Sequence, residues 1–280
     1  MNARTTLALL LTFGAIACAT VKPLNPGAPR RDEPRYPVVF ADVAARVEAA
    51  TATWAQLSNQ AGGPGNSAPP LQPVTATIRN LPNTGGSSFY LPKVGATSVM
   101  SGEEMREALR RFLRDWQKLI GADPLQLSLV EELTNSDGTR TAVYEQKPFS
   151  YPLRGDYGKV LVQFAADRRV VALSSTAIPD SENIQAALSA AALRLKNEDM
   201  ATKIAGRSVT YSDAAGSHSY TIGSGNQVNL QQLVVYPRLV SSPPALAFHL
   251  AWEIGLANAP VKTIYLDALR DEVLAVFPSQ

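Results

Sequence analysis

The stretch from Ser101 to Ser175 constrains the fold more than any other part of the chain. Its first third repeats apolar residues at helical spacing, with basic residues between them. The apolar positions are Met105, Ala108, Leu109, Phe112, Leu113, Trp116, Leu119 and Ile120. Ser101 and Glu104 have the spacing of a capping box. Gly121 followed by Pro124 indicates the end, so the pattern predicts one amphipathic helix that faces a core.

Three strand-like runs follow this helix within the same stretch. They are Leu125 to Leu133, Thr139 to Gln146 and Lys159 to Ser175. The sequence Asn135-Ser136-Asp137-Gly138 is typical of a tight turn and joins the first two runs. We therefore expect the helix to pack on one face of an antiparallel meander.

After Ile178 the order of one helix followed by strands occurs again. Asp180 or Ser181 is predicted to cap a helix whose apolar stripe continues to Leu195. The strand-like runs that follow are Ser208 to Ser212, Ser219 to Ile222, Val228 to Tyr236, Ala245 to Ile254 and Lys262 to Phe277. We predict an α+β fold of two tandem units, each one helix packed on an antiparallel β-meander, plus an N-terminal amphipathic helix.

Residues 38–99, before these units, are predicted to contain that N-terminal helix and irregular segments. Apolar residues fall three and four apart at Phe40, Val43, Val47, Ala50, Trp54 and Leu57. A stripe this short favours docking on its own domain, and a coiled-coil partner helix is the alternative. The run from Val74 to Ile78 alternates like a strand.

The beginning of the chain has the features of a targeting segment. Arg4 precedes an apolar run from Leu7 to Ala17, well short of the roughly 20 residues that a membrane-spanning helix needs. Ala15-Ile16-Ala17-Cys18 resembles the lipobox of bacterial lipoproteins, in which the cysteine is lipidated and becomes the first residue. We predict a signal peptide at residues 1–17 and lipidation of Cys18. The alternative is an ordinary signal peptide, with Cys18 incidental.

Residues 18–37 are rich in proline, which keeps a segment extended, so they are predicted to form a tether. Acyl chains on Cys18 would anchor the protein to a membrane without a transmembrane helix. Ala19, rather than aspartate, follows the cysteine. By resemblance to Gram-negative lipoproteins, this implies the periplasmic face of the outer membrane.

The charge of the chain is nearly balanced, with 26 Lys and Arg residues against 24 Asp and Glu. No basic field favours nucleic acid as a partner. Because the chain has one cysteine, an internal disulfide is excluded, and the folded part depends on its hydrophobic core.

Two segments resemble the domains of a known family pair. Residues 100–178 resemble the fungalysin/thermolysin propeptide (FTP) domain, through the helix, the strand ending in Val143-Tyr144-Glu145-Gln146 and the strands around Asp167-Arg168-Arg169. Residues 179–280 resemble a PepSY domain, through the strand from Leu246 to Trp252 and the sequence Tyr265-Leu266-Asp267-Ala268.

In secreted metallopeptidase precursors, these domains precede the catalytic domain, assist its folding and inhibit it until cleavage. The chain has no H-E-x-x-H motif and only two histidines, so we expect no zinc site, no other cofactor and no catalytic residues. The resemblance implies a non-enzymatic, lipid-anchored envelope protein that binds and restrains or assists a metallopeptidase. The alternative is an envelope structural or ligand-binding module unrelated to peptidases.

The candidate partner-binding residues are Tyr144, Gln146 and Asp267, each with a packing or hydrogen-bonding role as the alternative. His249 and Glu253 point to the same face of a predicted strand, but their backbones would lie about 13 Å apart, which disfavours a shared metal ion. For His218, in Gly-Ser-His-Ser, we expect a hairpin.

Overall fold

Two antiparallel sheets and a separate hairpin organise the fold, as seen in a computed structural model. The structure describes residues 35–41, 43–62, 68–82, 88–96, 100–147 and 149–279. Its helices are α1 (Ala44–Gln60), α2 (Gly102–Asp115), α3 (Gln117–Ile120), α4 (Ser181–Ser189) and α5 (Met200–Ile204). Its strands are β1 (Val38–Phe40), β2 (Leu127–Thr134), β3 (Arg140–Gln146), β4 (Lys159–Phe164), β5 (Val170–Ser175), β6 (Ser208–Asp213), β7 (Gly216–Thr221), β8 (Gln227–Ser241), β9 (Pro244–Ala257), β10 (Val261–Asp267) and β11 (Val273–Pro278). The α+β prediction is confirmed.

The helix α2 starts at the predicted capping box. The Ser101 hydroxyl accepts a hydrogen bond from the Glu104 amide (3.2 Å), and the Glu104 carboxylate accepts one from the Ser101 amide (2.7 Å). The helix does not continue to Gly121 as predicted, because the backbone leaves helical geometry at Trp116, whose ring stacks on Phe112. The short helix α3 then ends at Gly121, which has the predicted left-handed conformation.

Gly121→Ala is expected to lower the free energy of unfolding by about 2–4 kcal/mol. Its φ of 84° strains any residue with a side chain, and an added Cβ would collide with Thr77 and approach Pro179. Gly138→Ala is the matched control, because its φ is 78° but no atom lies within 4 Å of an added Cβ. Urea denaturation of both variants separates the backbone strain from the collision, and equal losses would contradict the role of close approach.

The first sheet has the order β2-β3-β4-β5, and α2 covers one of its faces. The predicted docking of the N-terminal helix on its own domain is confirmed, because Ala50 and Trp54 of α1 belong to the same core. Phe40 is a correction: it ends β1 and pairs with the second sheet instead of starting the helix. The segment from Val74 to Ile78 is also corrected, since it forms a buried turn and one isolated bridge.

The second sheet is centred on β9. On one side, β8 pairs along almost the whole of β9; on the other, β1 pairs with residues 246–248 and β10 with residues 251–255. The predicted run from Lys262 to Phe277 splits into β10 and β11, and β6 and β7 form a separate hairpin. The predicted five-strand meander is therefore wrong, because β1 takes a place in this sheet and the hairpin does not.

The alternation predicted for β9 is confirmed. Leu246, Phe248 and Leu250 lie in a core that also contains Ile184 and Leu188 of α4. The helix α4 is shorter than predicted, and Leu195 lies beyond it in a second cluster with α5. The opposite face of β9 carries four further residues, which are also buried. They are Ala247, His249, Ala251 and Glu253.

The predicted signal peptide, Cys18 and the tether up to Pro34 lie outside the described residues. The last tether residues differ from the prediction of an unpacked segment, because Tyr36 packs against the second sheet. No helix in the part of the chain that the structure describes is long and apolar enough to cross a membrane.

Candidate functional site

Two of the predicted partner-binding residues, Tyr144 and Gln146, lie on β3 and are buried. Tyr144 packs in the first core, and burial raises its pKa to about 12. The Gln146 side chain donates to the Ile178 carbonyl (2.9 Å) and the Ser181 hydroxyl (3.0 Å), and it accepts from the Ile178 amide (2.8 Å). Their positions favour packing and hydrogen-bonding roles, which were the alternatives in the sequence.

Asp267, the third candidate, ends β10 and has no exposed surface. Its Oδ1 accepts from the amides of Leu269 and Arg270, both at 2.8 Å. Its Oδ2 accepts from His249 Nδ1 (2.7 Å) and the Tyr36 hydroxyl (3.0 Å). Burial alone would raise the pKa of Asp267, but the hydrogen bonds from His249 and the two amides outweigh burial and lower it.

Tyr36 joins the N-terminal segment to this carboxylate. Its hydroxyl also accepts from the amide of Leu250 (3.0 Å), in the gap that β1 and β10 leave along the edge of β9. Arg270 lies over the Tyr36 ring and donates to the Tyr36 carbonyl. Burial, followed by the negative charge of Asp267, raises the pKa of Tyr36. The cluster therefore holds the first described residues on the second sheet.

A second buried network surrounds Glu253 on the same face of β9. Its carboxylate accepts from the Arg154 guanidinium at 2.8–3.1 Å and from the Tyr265 hydroxyl at 2.8 Å. Arg154 also donates to the side chain of Gln232 on β8 (3.2 Å). Burial and the hydrogen bond to Glu253 raise the pKa of Tyr265. The hydrogen bonds that Arg154 donates to Glu253 likewise raise the pKa of Arg154.

The Arg154 network attaches the loop between β3 and β4 to the second sheet. Val235 of β8 donates to the carbonyl of Pro152 (2.9 Å), and its own carbonyl accepts from the Arg154 amide (3.0 Å). Leu153 forms a parallel bridge with Val235 and packs in the second core. This loop and the Gln146 side chain join the first sheet to the elements after Ile178.

The histidines take part in separate contacts. His249 contacts Asp267, while Glu253 contacts Arg154, so the two side chains take part in different contacts. His218 lies in the predicted hairpin, on β7, and contacts Asp213 (3.0 Å) at the surface. Across the described ranges, no group of three or more His, Cys, Asp or Glu side chains could hold a metal ion.

The free edge of β2 is the most open feature of the first sheet. Among the residues that the structure describes, β2 pairs with β3 alone, and its residues from Val130 to Thr134 are all exposed. Val130 and Leu133 are 48% and 45% exposed on this edge strand. The strand β2 therefore presents backbone groups and apolar side chains together.

Sequence reasoning missed the edge of β2 and the partners of Glu253. Leu129-Val130 and Leu133 were assigned to a strand, but strand order decides which strand lies at an edge. Arg154 stands in a loop and is 99 positions from Glu253, so no local pattern indicated their contact. The apolar residues Val130 and Leu133 flanking two glutamates were the one available signal of an exposed strand.

Comparison with known proteins finds no protein-family model that matches the chain and no curated protein that matches it significantly. The resemblance to the FTP and PepSY domains therefore stays a prediction from the residues quoted above.

Proposed function

We propose that the chain is a non-enzymatic, lipid-anchored envelope protein that binds a partner protein and restrains or assists it, with a metallopeptidase as the expected partner. In this proposal, the first sheet with α2 is the FTP-like unit and the second sheet with α4 is the PepSY-like unit, in tandem. Cys18 carries the lipid, and the body faces the periplasm at the outer membrane.

The observation that supports a binding role is the open edge of β2. The buried polar groups are used to fasten parts of the same chain: Asp267 holds Tyr36, and Glu253 holds Arg154. The edge of β2 instead leaves apolar side chains and backbone groups in contact with solvent. Surfaces of this kind are common sites of protein association.

A photoreactive residue at Leu133 in intact envelopes tests this proposal. We expect crosslinks to a discrete peptidase, identified by mass spectrometry, whose activity changes when the purified chain is added. The matched control is a photoreactive residue at Val171, which is also exposed but lies on β5 at the opposite end of the sheet. Equal products from both positions, or products without a peptidase, would contradict the proposal.

The lipid anchor is tested in the same cells with Cys18→Ser. Loss of the acyl chains removes about 0.8 kcal/mol of membrane binding for each buried CH₂, so we expect the variant in the soluble fraction. An unchanged membrane pellet would contradict lipidation at this position.

The second candidate, a ligand-binding module, is favoured by a cleft of about 520 Å³ between α1, α3 and the start of α4. Lys118, Asp123, Asp180 and Glu182 line it, so a ligand would be polar and charged. Thermal-shift measurements with free amino acids and dipeptides test this alternative. A shift that Lys118→Glu abolishes would support it, and no shift would remove it.

A further inference from the structure

The two edge strands of the first sheet, β2 and β5, differ in whether other residues cover their backbone groups. On β5, the amide of Val170 donates to Phe89 (2.8 Å) and that of Ser175 donates to Ile78 (2.8 Å), so residues before α2 cover this edge. Edge strands expose unpaired backbone groups, and proteins commonly cover them. Nothing in the described residues covers β2 in this way.

The hydrogen bonds at the ends of β2 show which backbone groups face its open side. Lys147 donates to the carbonyl of Gln126 (2.9 Å), and Asn135 donates to Thr139 (2.8 Å). Pairs in an antiparallel ladder alternate between bonded and non-bonded. Leu127, Leu129, Glu132 and Thr134 are consequently non-bonded positions, with a bulge at Val130 between them. The amides and carbonyls of Leu129, Glu132 and Thr134 point away from β3 to the open side, whereas the Leu127 amide donates to the carbonyl of Pro124.

The side chains along this edge combine apolar surface with negative charge. Val130 and Leu133 are exposed, and so is Leu125 immediately before the strand. Glu131 and Glu132 are exposed between the two apolar residues. Glu132 forms an ion pair with Arg140 on β3, whereas Glu131 has no ion pair among the described residues. An added strand would therefore meet apolar contacts and an acidic side chain.

A second copy of the chain fits this edge poorly. Antiparallel pairing of two β2 strands about Glu132 would bring the Glu132 side chains of both copies opposite each other. Like charges that face each other across strands are destabilising. A segment with lysine or arginine beside apolar residues would instead complement Glu131 and cover Val130 and Leu133.

We propose that β2 binds an extended segment of a partner protein as an added strand, and that the segment carries lysine or arginine together with apolar side chains. This inference rests on the proposed function only in requiring a protein partner. Backbone hydrogen bonds to the open side of β2 supply affinity, and the side chains select the segment.

Two capped peptides of the same length as β2 test the proposal on the purified chain. In the first, one face alternates lysine with valine and the other face carries threonine; in the second, glutamate replaces lysine. We expect saturable binding of the lysine peptide, about tenfold tighter than that of the glutamate peptide, with added hydrogen-exchange protection at residues 127–134. Equal affinities, or protection elsewhere, would overturn the proposal.

Two variants of β2 separate the backbone contribution from the charge contribution. Glu132→Pro removes an amide that faces the open side, so it should abolish peptide binding. The variant should still fold, because proline is tolerated at such edge positions. Glu131→Lys should weaken the lysine peptide about tenfold and favour the glutamate peptide. Glu198→Lys is the matched control, because it makes the same charge change at an exposed residue beyond α4. If Glu132→Pro fails to fold, Glu131→Lys still decides the outcome.

The results of this test and of the crosslinking at Leu133 are distinguishable. Peptide binding at β2 without any captured peptidase would remove the proposed function and leave the strand-addition site. A peptidase captured at Leu133 without peptide binding would remove the strand-addition site and leave the proposed function. A dimer that dissociates when the lysine peptide binds would show a second copy at this edge and overturn the choice of partner.

Discussion

Asp267→Ala is expected to lower the free energy of unfolding by about 3–5 kcal/mol, because it leaves several buried donors without an acceptor, each at a cost of about 1–3 kcal/mol. The variant removes the acceptor of four hydrogen bonds, from His249, Tyr36 and the amides of Leu269 and Arg270. Each buried donor left without an acceptor adds a desolvation cost. Urea denaturation followed by circular dichroism measures the loss.

Asp267→Asn is the matched control for the charge. It keeps the Oδ1 acceptor for the two amides and loses the carboxylate, so we expect a smaller loss than for Asp267→Ala. A loss below about 1 kcal/mol in both variants would contradict the structural role of this carboxylate.

The contribution of the Asp267 charge also depends on pH. The pKa of this carboxyl is lowered from its ordinary value of 3.8, so the folded protein binds this proton more weakly than the unfolded chain does. The stabilisation is therefore complete above that value and is lost as pH falls through the lower folded pKa. The difference between the native protein and Asp267→Asn should shrink accordingly below about pH 4.

Trp54→Ala should lower the free energy of unfolding by about 3–5 kcal/mol, as large-to-small changes of buried aromatic residues do. The Trp54 ring is 1% exposed and lies 5.5 Å from the Phe89 ring and 6.2 Å from the Trp116 ring, between centroids. The change leaves a cavity where α1 meets the first core, so we expect a lower melting temperature.

Val47→Ala, on the same helix, is the control for α1. Val47 is exposed, so its truncation should change stability by no more than about 0.5 kcal/mol. A large effect at Val47 and a small one at Trp54 would indicate that the apolar stripe of α1 serves an external partner, as in the coiled-coil alternative. Thermal unfolding of the two variants side by side makes the comparison.

These contacts have a common consequence for the proposed function. Tyr36 fastens the segment next to the tether, and Arg154 fastens the loop between β3 and β4 to the second sheet. An edge strand binds a partner best when the sheet behind it is already ordered, because less conformational entropy is then lost on binding. An ordered first sheet would therefore favour the binding that is proposed for β2.

The sequence by itself determined the local features of the fold. The capping box of Ser101 and Glu104, the left-handed Gly121 and the alternation along β9 each depend on residues that are close along the chain. Their physical causes are helix capping, the freedom of glycine at positive φ and the two-residue period of a strand, all of which act over a few residues. For this reason the start of α2, the left-handed conformation of Gly121 and the alternation along β9 were predictable.

Tertiary structure alone decided where the strands lie and what the buried polar groups contact. Phe40 fits the helical spacing of the stripe that continues in α1, but the pairing of Val38–Phe40 with β9 makes it part of a strand. Tyr36 and Asp267 are 231 positions apart, and no local pattern relates them. The open edge of β2 follows from the strand order of the whole sheet, because a strand is an edge only when no other segment pairs beside it.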